Sequence, residues 1–221
     1  MGRAASFWHS TIGKKVVMAV TGIIGIGFLI AHVVGNLMIF RGPVALNGYS
    51  HFLHGPAGEL LWVMRVVLII AVILHVIAAW QLTQRGHAAR PVAYARREPQ
   101  VSTIASRVMR WGGVILLVFI VFHILHFTTG TIRPAGTFED GNVYSNVVAS
   151  FSIWWVALFY VVAMVFLGLH LYHGAWSSVR TIGTTGESPD PFQRRASATL
   201  AVLIWLGFTL VPLAVFFGLV G

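Results

Sequence analysis

The sequence predicts an all-α membrane protein: a five-transmembrane-helix bundle forming one domain over residues 1–221, with its N-terminus in the cytoplasm and its C-terminus outside. Three observations predict it. The chain is 57% hydrophobic and only 10% charged, where a soluble domain is about 25% charged. Its apolar residues gather into five runs, each long enough for the roughly 20 residues that cross a bilayer. Its basic residues fall mostly on one side of those runs. Lipid offers the backbone no hydrogen bonds, so each run is expected to be helical.

The runs lie at about 15–40, 60–84, 108–130, 150–178 and 197–219. The first follows Arg3, Lys14 and Lys15 and looks like a secretion signal. It is too long for a signal core and no small-residue cleavage site follows, so it reads as a retained helix. The stretch 41–58 reads as a long outside loop. The fifth run has no histidine and no charge after Arg195. Pro212 is expected to kink it, because the proline ring removes a helical hydrogen bond, and the run reads as structural cover for the bundle.

Arg3, Lys14, Lys15, Arg85, Arg90, Arg96, Arg97, Arg107, Arg110, Arg180, Arg194 and Arg195 fall on one side, twelve against Arg41, Arg65 and Arg133 on the other. That bias sets the predicted orientation. The net charge of +9 therefore reads as topology. Membrane lipid is the expected surrounding and nucleic acid is not an expected partner. There is no cysteine, which removes disulfides, iron–sulfur clusters, thiolate metal sites and covalently attached haem from this chain.

The informative residues are histidines inside the runs: His32, His75, the doublet His123 and His126, and the doublet His170 and His173. An ionisable side chain at membrane depth points to function, and the plain alternative is an interhelical hydrogen bond. Here four helices each carry one. His32 lies ~25 Å from Lys15 along its helix, and His123 and His126 lie ~20 and ~24 Å from Arg110, at 1.5 Å per residue. His75 and His170 each precede an inner-end arginine, Arg85 or Arg180, by ~15 Å. The set sorts into an outer and an inner pair. Two facing imidazoles across an apolar slot are what a b-type haem needs, and with both axial positions filled such a haem carries electrons. Two irons would stand on the order of 10 Å or more apart along the membrane normal. Gly25, Gly27, Gly35, Gly168 and Gly174 either make room for a macrocycle or serve close helix packing. Zinc suits the pattern less, because Glu59, Glu98, Glu139, Asp140, Glu187 and Asp190 all lie in loops or at a helix end. Similar spacings, 43 residues from His32 to His75 and 47 from His123 to His170, hint at two related hairpins.

AHVVGNL (31–37), RGPVALNGYSHFLHGP (41–56), VILHVIAAW, VFHILHF and FLGLHLYHGAWS together resemble the cytochrome b membrane anchor of succinate dehydrogenase and fumarate reductase, of the single-chain, five-helix, two-haem type. The resemblance runs from about Lys14 into the fifth helix. It implies two haem b groups, with His32 and His123 as axial ligands of the outer one and His75 and His170 of the inner one. It selects the first of each doublet, leaving His126 and His173 behind the ligands or at a haem edge; depth alone leaves the choice open.

The resemblance also implies an enzyme complex. A flavoprotein subunit with FAD would oxidise succinate. An iron–sulfur subunit on the cytoplasmic face would pass electrons to the inner haem, the outer haem and then a quinone, menaquinone in relatives of this type. The dicarboxylate chemistry would sit on a partner chain, and the setting would be a prokaryotic cytoplasmic membrane. Arg180, with Lys14 and Lys15 as alternatives, would meet the inner haem's propionates, and Arg65 the outer one's. His54, Glu59 and His51 are the quinone-site candidates, beside Asn47 and Tyr49. The resemblance puts His54 where family members place an acid, which leaves the proton donor open, and this chain lacks the acid that some relatives carry in the fourth helix. The alternatives are a dihaem quinone cytochrome of a hydrogenase or formate dehydrogenase, against which the 41–56 motif speaks, or a haem-free membrane scaffold.

Overall fold

The computed structural model describes residues 2–89, 103–183 and 191–221. Among them are eight α-helices: α1 (Arg3–His9), α2 (Thr11–Leu37), α3 (Pro43–His54), α4 (Gly58–Ala88), α5 (Ile104–His123), α6 (Val143–Phe151), α7 (Trp154–Thr181) and α8 (Pro191–Phe216). A 3-10 turn, Met38–Arg41, extends α2, and a π-helical turn, Ile124–Thr128, extends α5. Five of these segments, α2, α4, α5, α7 and α8 with their extensions, are long and apolar enough to cross a membrane. The shortest has 25 residues, about 37 Å of helix against a hydrocarbon core of about 30 Å. The protein is an integral, multi-pass, all-helical membrane protein. Arg90, Arg96, Arg97, Glu98, Glu187 and Asp190 lie outside the described residues.

Local chemistry explains several boundaries. Ser10 caps α2 by accepting from the Gly13 N–H at 2.8 Å, Thr103 caps α5 through the Ser106 N–H, and Asn142 caps α6 through the Ser145 N–H. Each oxygen satisfies one of the free donors of a first helical turn. One expectation is corrected. The 41–58 stretch is not a loop: most of it is α3, which starts with Pro43 at its first position, where a missing N–H costs nothing. The fourth span, read from about 150, starts at Trp154. Residues 143–151 form the separate helix α6, and the chain turns at Ser152 and Ile153 before α7 starts at Trp154. The fifth span continues as one helix through the buried Pro212 to Phe216.

α2 and α7 are the centre of the bundle. α2 packs on α4, α7 and α8, and α7 packs on α5 and α8 as well. The pairs α2–α5 and α4–α7 are not among the close helix packings. α4 turns most of its apolar surface outward, including Val66, Ile69, Ile73 and Trp80, as a lipid-facing helix does. α3 sits tightly on α2: a Cβ at Gly35 would fall 2.6 Å from Tyr49 Cε1. Gly168 likewise faces Trp205, with a Cβ at 3.3 Å, and Gly207 faces Val33 at 2.4 Å. Gly35 and Gly168 therefore serve helix packing, whereas Gly25, Gly27 and Gly174 have nothing within 4 Å of a Cβ.

Gly35→Ala should push α3 off α2 and cost about 1–3 kcal/mol, the usual penalty of overpacking. A lowered melting temperature in detergent would register it, and adding Tyr49→Ala should recover part of the loss.

Candidate functional site

The bundle brings the span histidines into two pairs. His32 on α2 faces His123 on α5, with ring centroids 5.8 Å apart. His75 on α4 faces His170 on α7 at 6.2 Å. Neither α2–α5 nor α4–α7 packs closely among the described residues, so the rings reach across gaps. Two imidazoles gripping one metal ion from opposite sides stand roughly 6 Å apart centre to centre, from metal–nitrogen bonds of about 2 Å plus the ring radius.

In the inner pair, the Thr21 hydroxyl donates to Val17 O at 2.8 Å and stands 3.1 Å from His75 Nδ1. Its proton is committed to the helix, so its oxygen accepts from His75 Nδ1–H, and the Nε2 lone pair is left open. The ring lies over Gly22, whose Cβ would meet His75 Cε1 at 3.6 Å. Opposite, His170 Nδ1 is buried without a hydrogen-bond partner.

In the outer pair, His32 stacks on Phe28 at 5.1 Å and 16° and touches Phe208. Asn36 donates to the His32 carbonyl at 2.8 Å. His123 stacks on Phe119, and its Nδ1 lies 3.5 Å from the Tyr160 hydroxyl.

The doublet partners behave differently. His126 is only 2% exposed. Its Nδ1 bonds to Tyr160 Oη and its Nε2 to Ser150 Oγ, both at 2.9 Å. Neither ring nitrogen is free for a ligand. It stands in the π-helical turn, a local widening that recurs at functional sites. His173 is half-buried and makes no ring hydrogen bond among the described residues.

A b-type haem fits this donor set. The pairs have the spacing, His170 Nδ1 is a buried nitrogen in want of a partner, and Gly25 offers open space. Gly25 lies on the α2 face between Thr21 and His32, in the stripe Thr21, Gly25, Phe28, His32 at steps of 4, 3 and 4 residues. Thr21 and His32 are about 16 Å apart along α2, which separates the two pairs. No cluster of three or more metal-binding side chains occurs among the described residues.

At the inner end, Lys15 and Arg180 border a cavity of about 380 Å³ with Trp176, Ser177 and Thr181. Arg180 also lies over the Trp176 ring at 4.9 Å. Lys14 is a poorer candidate for an anion, being buried and committed to the Trp8 carbonyl and ring. Arg65 packs over Trp62 and stands 3.3 Å from His54 Nε2. The guanidinium must donate, so His54 Nε2 accepts, and Nδ1–H donates to Ser50 O at 2.9 Å. His51 and Glu59 are exposed, and a Cβ at Gly141 would lie 3.9 Å from His51 Cε1. Asn47 ties α3 to α6, donating to Asn142 Oδ1 and accepting from the Tyr144 N–H, both at 3.0 Å.

The sequence reading passed over Thr21, Tyr160 and Ser150. The available signal was chemical: a hydroxyl within an apolar run needs a partner once buried.

Fold and site define a class, a multi-pass helical membrane protein with two interhelical histidine pairs. Among characterised proteins, the succinate dehydrogenase cytochrome b558 subunit of Bacillus subtilis (strain 168) is 26% identical over 203 residues, covering 90% of this chain and 92% of that one. That likeness agrees with the resemblance carried by the chain's motifs. No family model and no solved structure matches it.

His126→Leu should take the 2.9 Å partner from the buried Ser150 and Tyr160 hydroxyls and cost about 2–6 kcal/mol, at 1–3 kcal/mol for each unsatisfied group. His173→Leu should cost under about 1 kcal/mol. Melting temperatures of the two variants in one detergent test the contrast.

Proposed function

We propose that this chain is the dihaem cytochrome b anchor of a succinate:quinone oxidoreductase in the cytoplasmic membrane of a prokaryote, and that it carries electrons from an iron–sulfur subunit to menaquinone. The observation that carries the reading is the pair of imidazole pairs, at 5.8 and 6.2 Å, on helices otherwise held apart. The near full-length likeness to a succinate dehydrogenase cytochrome b558 subunit supports it. Haem b, when bound, supplies one-electron carriage at two depths in the bilayer.

The chain's own residues have distinct tasks. His32 and His123 hold the outer haem, and His75 and His170 the inner one. Thr21 fixes the His75 tautomer so that Nε2 faces the iron. The apolar shell of Phe28, Phe119 and Phe208 excludes water from the outer pair. Arg180 and Lys15 meet inner propionates, and Arg65 those of the outer haem. Arg65 also occupies the Nε2 lone pair of His54, so His54 holds its proton on Nδ1 against Ser50 O. That leaves His51 and Glu59 as the freer groups to pass protons to quinone at the outer end. Succinate oxidation belongs to the flavoprotein partner, and the iron–sulfur partner docks at the inner end.

Pyridine haemochrome analysis of the purified complex should count two b haems per chain. Each of His32→Ala, His75→Ala, His123→Ala and His170→Ala should reduce the count to one, while His173→Ala keeps two. A count of zero in a well-folded wild-type preparation would sink the reading. The absence of native cysteine allows a clean test of orientation. A single cysteine at Ser6 should be shielded from an impermeant maleimide in intact cells, and one at Thr137 should be labelled.

A further inference from the structure

Tyr160, His126 and Ser150 form a chain of polar groups behind His123. The distances are 3.5 Å from His123 Nδ1 to Tyr160 Oη, 2.9 Å from Tyr160 Oη to His126 Nδ1, and 2.9 Å from His126 Nε2 to Ser150 Oγ. All three outer members are buried. They come from α7, the π-helical turn and α6, so the fold converges three elements on one imidazole. On the reading of His123 as an outer haem ligand, we propose that Tyr160, held by His126 and Ser150, is a positioning residue that orients His123 and lowers the reduction potential of the outer haem.

The proton count fixes the direction of the chain. Tyrosine has one hydroxyl proton to give. A neutral His123 that offers Nε2 to iron carries its proton on Nδ1, so Nδ1–H donates and Tyr160 Oη accepts. The Tyr160 proton then goes to His126 Nδ1, and His126 Nε2–H donates to Ser150 Oγ. Every ring nitrogen and hydroxyl in the chain has a defined role, and the opposite polarity would take the Nε2 lone pair away from iron. The tyrosine is anchored from behind by the shorter bond and offers its remaining lone pair forward. An acceptor on the far nitrogen of an iron-bound imidazole raises the basicity of that ligand, which favours ferric over ferrous iron.

The inner pair contains the matching device. Thr21 Oγ1 accepts from His75 Nδ1 at 3.1 Å. That provides an internal control at the other end of the electron path.

The test is spectroscopic potentiometry of the purified complex. The component missing from His123→Ala identifies the outer haem, and the one missing from His75→Ala the inner. Tyr160→Phe should keep two haems, raise the midpoint of the outer one, move its low-spin ferric resonance and leave the inner one unchanged. Thr21→Val should do the reverse. Two haems with both midpoints unmoved in Tyr160→Phe would overturn the positioning role while leaving the dihaem reading intact. A wild-type complex without two haems overturns both. Where Tyr160→Phe fails to keep two haems, Ser150→Ala decides: a smaller upward shift of the outer midpoint supports the role, and an unchanged midpoint overturns it.

Discussion

The contact between α2 and α7 is the constraint on which the rest of the bundle depends. α2 supplies His32 to the outer pair and the Thr21 hydroxyl to the inner one. α7 supplies His170 to the inner pair and the Tyr160 hydroxyl to the outer one. The peripheral helices α4 and α5 each contribute a histidine whose far nitrogen meets a hydroxyl from a central helix. A shift of α2 against α7 would therefore change both pairs at once. Thr21 precedes His32 by 11 residues and Tyr160 precedes His170 by 10, so the two central helices carry the same device, pointed in opposite directions. The device matches α2 with α7 and α4 with α5 by the residues that they contribute.

Polar satisfaction separates the members of the 123/126 doublet. In lipid, an unpaired buried group costs about 1–3 kcal/mol, so each histidine must bond within the protein or to something it binds. His126 bonds to protein through both nitrogens. His170 Nδ1 is buried without a partner, as are Gln193 Oε1, Trp205 Nε1 and Thr209 Oγ1 on α8, whereas His75 Nδ1 and His123 Nδ1 each meet a hydroxyl. What the facing imidazoles leave for a bound group is their remaining ring nitrogens. A group that satisfied those nitrogens would stabilise the bundle as well as work in it, because whatever binds only the folded state adds to its stability.

Much of this was legible in the sequence. Five spans followed from run length alone, and the sorting of the span histidines into two levels followed from depth along each helix, since helical rise converts residue number into distance; the choice of His123 and His170 within their doublets came from the family resemblance. Other features were hidden for physical reasons. α3 carries Asn47, Gly48 and Ser50, a composition that reads as loop, and it becomes a helix because Pro43 starts it and Tyr49 locks against Gly35. α6 lies in the connection before the fourth run, where its nine residues are too few to show as a span. The Tyr160–His126–Ser150 chain needs three elements to converge, and no spacing in one of them announces it. His126 could not be told from His123 by position, because the π-helical turn changes which way the second ring points.

The two ends of the bundle differ in a way that bears on direction. At one end, α3 and α6 lie across the helix tips, joined by Asn47 to Asn142 and Tyr144 and backed by Glu139, whose carboxylate accepts from Asn142 at 2.7 Å. That cover belongs to the side where His51, His54 and Glu59 stand. At the other end, Lys15 and Arg180 border an open cavity beside Trp176. Under the proposed function, each end has a different physical task. A quinone arriving from lipid needs an amphipathic cover that keeps its ring near the outer pair while proton-bearing side chains reach water. A docked iron–sulfur subunit needs the inner pair near the surface, with cations to hold propionates in place before the partner closes over them. Under that reading the helical cover of α3 and α6 belongs with the quinone chemistry, and the cavity beside Lys15 and Arg180 with electron entry.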